Sequence, residues 1–509
     1  MSFLFLLLFA SLLGTSLGQD DDPIVATSGD DTLPPDDLLF WTGTEGADSF
    51  EHDGRGVISG LGGDDTLEVG GYSRAEGGAG NDTIFVNDVS KGYGGAGDDA
   101  IETRNAGIGH GDAGDDVISA YNQSTAYGGA GQDTMFANRY ATITGGSGDD
   151  TMTAANFAKA GGSLGNDTIT VRDQARGWGG EGDDTLSAFG DSTVVGGSGD
   201  DALNLFGDAL GRGGKGADSF VLYDNATGYG ETGNDDFTIG ANATAYGGQG
   251  DDTFNDNGNY YGPGRGTGYG GAGDDSIEGY GHADYYGGSG DDLYSARLLI
   301  APDVVDGGLG NDTIFVSRGG TAIGGAGNDI VNADGNATLY GGSGDDLLGF
   351  THTILFDENG AIDPVEPGDP GQLNITATGG AGADTFILTN EMFVPRIYAL
   401  DDTVLEPGSA AEADLLATAF PATDDIGTIT DYNPAEDTII LELPDDGTGY
   451  ALSSVTTTPV AGQTAVDVSV KIASSEAGEP ELTRTFRLLG VTTFDADSLM
   501  VVQPAAATV

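Results

Sequence analysis

The chain of 509 residues carries 82 Asp and Glu against 17 Lys and Arg, for a formal charge of -65 at pH 7, with 91 Gly and no Cys. Charge of that size excludes nucleic acid and anionic membrane surfaces as partners, and it opposes a compact state until cations bind. The lack of Cys and the scatter of His52, His110, His282 and His352 argue against a disulfide framework, zinc or iron, leaving hard divalent ions that prefer carboxylate and carbonyl oxygens.

Residues 3 to 13, FLFLLLFASLL, form an apolar run followed by GTSLGQDDD. The length and the small residues read residues 1–19 as an export signal or short anchor, although no Lys or Arg precedes the run and it is short for a membrane span. Membrane contact is expected only through residues 1–18. Residues 20–50 read as an acidic N-terminal cap region.

From residue 51 to 390 a repeat dominates. GGAGNDT (77–83), GGSGDDT (145–151), GGEGDDT (179–185) and GGLGNDT (307–313) are near copies, and the closing aspartates advance in steps of 17 from position 31 to 252. The register runs through Asp65, Asp82, Asp99, Asp116, Asp133, Asp150, Asp167, Asp184, Asp201, Asp218, Asp235 and Asp252. Longer steps then lead to Asp275, Asp292, Asp312, Asp329, Asp346 and Asp384. All of these are candidate metal ligands. The insertions NDNGNYYGPGRG (255–266) and DENGAIDPVEPGDPG (357–371) account for slips in register and belong at the edge opposite the GGxGxD turns.

Two residues after each aspartate stands an apolar residue, as in Leu67, Ile84, Met135, Leu186 and Phe220, and seven before it stands a small or branched one, as in Ala126, Ile143 and Val194. Each coil thus presents two inward positions. The unit divides into a six-residue GGxGxD turn, a three-residue strand, a second turn of about five residues and another short strand. One coil cannot bury its apolar face alone, so coils stack with strands about 4.8 Å apart. The fold expected is all-β: a right-handed parallel β-roll, a β-helix-like solenoid of 17-residue coils.

Glycine at the first, second and fourth positions is expected to adopt positive φ and aim carbonyls at an ion. With a carboxylate from each stacked turn, an ion between coils gains the six to eight oxygens that suit Ca²⁺, about one ion per coil interface. Filling every gap from Asp48 to Asp346 would bring the charge from -65 to about -31. In GGSGDDT, Asp150 is the ligand in register, and Asp149 occupies a variable position expected to face solvent. An outward aromatic row (Tyr93, Tyr127, Trp178, Tyr229, Tyr246, Tyr269, Tyr286, Tyr340) reads as cross-strand packing, with glycan binding as the alternative.

Residues 391–509 alternate apolar and polar side chains in TIILEL (438–443), AVDVSVKI (465–472) and RTFRLLGV (484–491), which predicts antiparallel strands capping the roll. HExxH and GxSxG are both missing, so no enzyme is expected.

GGxGxD followed by x, an apolar residue and x, over roughly residues 59 to 388, resembles the hemolysin-type calcium-binding repeat of RTX proteins. GADTFIL (382–388) with TITDYNPAEDTIILEL (428–443) is similar to the segment closing the roll in serralysin-like C-terminal domains. The resemblance implies Ca²⁺ held by glycine carbonyls and the repeat aspartates. It also implies a C-terminal region read by a type I secretion apparatus, and a bacterial extracellular or cell-surface location. The usual RTX repeat has nine residues with ions on both edges, whereas this chain has one consensus turn per 17. The reading is a secreted calcium-binding structural, adhesion or interaction protein, with cell-surface glycans or surface proteins as candidate partners. The alternatives are an enzyme acting on extracellular polysaccharide and an ice-binding solenoid.

Overall fold

The computed structural model describes residues 38–240, 242–256, 265–279, 283–296, 304–317, 319–334, 336–351, 375–389, 423–443, 450–474 and 481–502. The signal-like segment 1–19, the loop 357–371, most of the 255–266 insertion, His282 and His352 lie outside the described residues. The chain forms two compact units, residues 1–181 and 182–509. Among the described residues both are made of strands, with one 3-10 turn at Ala496–Ser498.

In the first unit each coil contributes one strand to each of two parallel sheets. Thr134–Asn138 pairs with Thr151–Ala155 in one sheet, and Thr142–Ser147 pairs with Lys159–Leu164 in the other. The register is 17 residues, so Met135 lies on Met152 and Ile143 on Ala160. Leu38–Thr42, inside the segment read as a cap, pairs in parallel with Ser49–Gly62, and Leu39 and Trp41 are buried. Alternation puts Met135, Ala137, Ala141 and Ile143 inside. Two inward positions per coil was therefore too few: the residue four after the aspartate is also buried, as in Val69, Ala137, Val171, Leu205 and Leu222, and so is a small residue before the next strand, as in Ala141 and Ala158. The strands are also longer than expected. Thr142–Ser147 contains both leading glycines of its motif, so the turn itself is only Gly148–Asp150.

The second turn is tight. Asn122 and Gln123 have φ of 54° and 68°, and Arg139 and Tyr140 have 53° and 66°. Two successive left-handed residues reverse the chain in the manner of a type I′ turn, a conformation that Asn tolerates best.

The second unit repeats this plan, with Ala202–Phe206 parallel to Ser219–Tyr223. Phe220, Phe237 and Phe254 stack inside it with ring centroids 4.5 and 5.1 Å apart. Each buried ring removes enough apolar surface from water to be worth about 1.5 to 3 kcal/mol. The end of this unit holds the expected antiparallel pairing at AVDVSVKI and RTFRLLGV and differs from expectation at TIILEL. Thr423–Ile429, Thr438–Glu442, Leu482–Leu489 and Leu499–Val502 continue the parallel sheets, and only Tyr450–Pro459, Ala465–Ser474 and Leu482–Leu489 pair antiparallel among themselves. Alternating hydrophobicity identifies a strand; it carries no information on the direction of its partner.

Candidate metal centre

The repeat aspartates form a ladder in each unit. The Asp133 N–H donates to Asp150 Oδ1 at 2.8 Å, and the Asp150 N–H donates to Asp167 Oδ1 at the same distance. The same bond joins Asp65, Asp82, Asp99, Asp116 and Asp133 in sequence, with Asp48 N–H donating to Asp65. In the second unit it runs from Asp184 through Asp201, Asp218, Asp235, Asp252, Asp275, Asp292, Asp312, Asp329 and Asp346 to Asp384. The longer steps at Asp275, Asp312 and Asp384 leave the ladder unbroken. All eighteen carboxyls singled out from the sequence are buried.

One oxygen of each carboxylate serves the ladder. The other, Oδ2, is buried without a hydrogen-bond partner in Asp65, Asp82, Asp99, Asp116, Asp133 and Asp150, and in Asp201, Asp218, Asp235, Asp252, Asp275, Asp292, Asp312, Asp329 and Asp346. A buried polar atom left unpaired costs about 1 to 3 kcal/mol, and an ionised one more. Burial accordingly pushes the Asp99, Asp116, Asp150, Asp201, Asp218, Asp252 and Asp312 carboxyls up to about 7, against the pull of the ladder N–H.

The glycines divide the work differently from the expectation. Gly146 and Gly148, second and fourth in their motif, have φ of 130° and 126°. Gly145, the first, has no positive φ. It is glycine because a β-carbon there would collide with Asp150 Oδ2. At the preceding coil a β-carbon on Gly128 would likewise collide with Asp133 Oδ2 and stand 2.6 Å from the Gly145 carbonyl oxygen. The unpaired carboxylate oxygen and a carbonyl oxygen of the following coil therefore flank the same bare glycine face. Where the second glycine is replaced, Leu61, Asp112, Ser163 and Glu231 take its place at φ of 79°, 76°, 98° and 79°. Each pays roughly 1 to 2 kcal/mol of backbone strain.

Asp149 is exposed, as expected, yet it is not idle. Its Oδ1 accepts the Asn166 N–H at 2.9 Å, and Asn81 Oδ1 accepts the Asp98 N–H at 3.0 Å in the same way. Asn serves there as well as Asp because only a neutral acceptor is needed, which is why the position looked merely variable.

Two further aspartates escaped the sequence reading of the site. Asp437 Oδ1 accepts the Asp384 N–H at 3.2 Å and continues the ladder, while its Oδ2 accepts the Asn433 N–H at 2.7 Å. Both oxygens of Asp431 accept from the last motif, the Gly379 and Gly380 N–H groups each at 2.9 Å. Neither residue follows a glycine string, and Asp437 lies 53 residues beyond Asp384, so the period could not find them. Asp48 turns its carboxylate to Thr44, accepting from the backbone N–H at 2.6 Å and from Oγ1 at 3.0 Å.

The donor set is all oxygen, which fits a hard divalent cation. Among the described residues no three His, Asp or Glu side chains converge as a ready-made metal cluster. An ion at this edge must therefore draw much of its shell from carbonyls.

Much of the outward aromatic row is packed ring on ring. Tyr93, His110 and Tyr127 stack at 4.7 Å, with the Arg74 guanidinium 4.0 Å above the Tyr93 ring. Tyr229, Tyr246, Tyr269 and Tyr286 stack at 4.7, 4.8 and 5.0 Å. The faces of Tyr246 and Tyr269 are covered by their neighbours and are closed to a sugar ring.

A parallel β-solenoid with a buried carboxylate ladder behind glycine turns defines a class of repeat protein built around cations. Residues 73–88, 142–157, 302–321 and 317–348 match the family described as the RTX calcium-binding nonapeptide repeat. These four segments are similar to calcium-binding repeats of the RTX type. No curated protein matches it.

Proposed function

We propose that this is a secreted RTX repeat protein whose coils are completed by about one Ca²⁺ per interface, and that it acts outside the cell as a structural, adhesion or interaction protein. The observation that carries the reading is the row of buried Oδ2 atoms without partners in both units. Calcium, when bound, supplies positive charge to that row. The residues that would hold it are the ladder aspartates, Asp65 through Asp384, with carbonyls of the adjoining glycines.

The signal-like run at 3–13 and the RTX resemblance support export, with a type I secretion apparatus as the partner. The same carboxylates that repeat in every coil leave no unique acid and base pair, which supports a non-catalytic role over an enzyme acting on polysaccharide. The second edge carries residues as different as Asn122, Arg139 and Phe157, which disfavours an ice-binding array. Among the described residues no helix is long and apolar enough to cross a membrane.

Titration of the chelated protein with Ca²⁺ and with Mg²⁺, followed by calorimetry and circular dichroism, tests the reading. Uptake of many Ca²⁺ ions per chain with a gain of β signal, and a weaker response to Mg²⁺, is expected. Uptake of no more than one or two ions would overturn it.

A further inference from the structure

The strand Tyr450–Pro459 pairs antiparallel with Ala465–Ser474 along one edge, and among the described residues nothing pairs with its other edge. None of residues 451–459 is buried, and Leu452 is 41% exposed, whereas Val466, Val468, Val470 and Ile472 of the neighbouring strand are all buried. The strand thus extends the sheet past the core. Ordering its backbone costs about 1 to 2 kcal/mol per residue, offset only by hydrogen bonds on one side.

Edges of this length are ordinarily blunted by charge, proline or a bulge. Here a register irregularity falls between Leu452 and Ser454 and a proline stands at the far end, leaving Ser454–Thr458 regular and, among the described residues, unpaired on that side. No Asp, Glu, Lys or Arg occurs from Gly447 to Val466, in a chain whose formal charge is -65. Two copies of such a chain repel one another over most of their surface. The uncharged edge is a place where they can meet.

We infer that Tyr450–Pro459 pairs antiparallel with the same strand of a second copy, joining the two sheets about a two-fold axis. Two-fold pairing needs a self-complementary surface, and the sequence SVTTT supplies one: Val and Thr are favourable partners for themselves and for each other across a strand pair. The partner is a second copy because a foreign strand would gain nothing from this strand being neutral unless it too were strongly acidic.

Light scattering on the calcium-loaded full chain reads the association. A monomer–dimer equilibrium that shifts toward dimer as salt screens the repulsion is expected, and the double variant Val455→Lys, Thr457→Lys should lose the dimer with its dichroism and calcium titration unchanged. The chain has no native cysteine, so Thr456→Cys gives a second readout that does not depend on the lysine variant folding. It should cross-link copy to copy under mild oxidation, while Gln123→Cys on the first unit should not. A wild type that stays monomeric at high salt, a lysine variant that still dimerises, or equal cross-linking of both cysteine variants would overturn the inference, as would capture of an unrelated strand peptide by a strictly monomeric chain.

Discussion

Asp149 and Asp150 are adjacent in sequence and serve opposite coils: Asp149 Oδ1 accepts the Asn166 N–H of the coil that follows, and Asp150 Oδ1 accepts the Asp133 N–H of the coil before. The doubled aspartate clamps one coil from both sides. The two bonds differ in surroundings, since Asp150 is buried and Asp149 exposed.

That difference sets the first prediction. Asp150→Ala strands a buried N–H on Asp133 and should cost about 1 to 3 kcal/mol. Asp149→Ala leaves the Asn166 N–H to water and should cost no more than about 0.5 kcal/mol, and Asp149→Asn should be neutral. Denaturant unfolding in excess calcium separates the three; equal losses for Asp149→Ala and Asp150→Ala would refute the assignment.

Glycine offers a second test. Gly145→Ala places a β-carbon against Asp150 Oδ2 and should destabilise by about 3 kcal/mol or more, because the obstacle is a fixed, buried carboxylate. At Gly161 a β-carbon meets nothing within 4 Å and φ is not positive. Gly161→Ala should therefore stabilise by about 0.4 to 1 kcal/mol through the unfolded state. Melting temperatures of the two variants should move in opposite directions.

The raised carboxyls predict an inverted pH dependence without metal. Asp150, at about 7 in the folded chain against 3.8 ordinarily, binds its proton more readily when folded. The folded state then holds more protons than the unfolded one between these values, so stability is greatest below the lower value and falls as pH rises through the upper. In chelator, the β signal should strengthen as pH drops from about 8 to 5. In calcium the trend should reverse, since protons compete for the same oxygens. A chelated protein that weakens on acidification would exclude this account.

Calcium removal is the fourth case. Chelation should loosen the coils cooperatively, and restoring about 10⁻⁴ to 10⁻³ M Ca²⁺, the range of extracellular modules, should rebuild them. Far-ultraviolet dichroism that ignores both chelator and calcium would count decisively against a role for the ion in folding.

Much of this molecule was readable because it repeats. A period of 17 with Asp133, Asp150 and Asp167 in phase and Met135, Met152 and Ile169 two residues behind them fixes the parallel register and the buried ladder together. What was not readable depends on neighbours that the sequence does not place side by side. The first glycine looked like a backbone requirement and proved to be a steric one, visible only once Asp150 folds over Gly145. The acceptor role of Asp149 hides behind its freedom to be Asn. The direction of Thr438–Glu442 relative to Thr385–Thr389 is a property of pairing across 53 residues, and alternation alone misread it.

The constant step of the Asp133–Asp150–Asp167 ladder makes the coil a removable part. Excising residues 134–150 would bring the Asp133 N–H to Asp167 Oδ1 and lay Thr168–Arg172 where Thr151–Ala155 now lies, with Ile169 in the place of Met152. Donor, acceptor and core residue would all be replaced in kind. Length in such a protein is a quantity that recombination can adjust by whole coils, and the stability of what remains is set by the joints between neighbours.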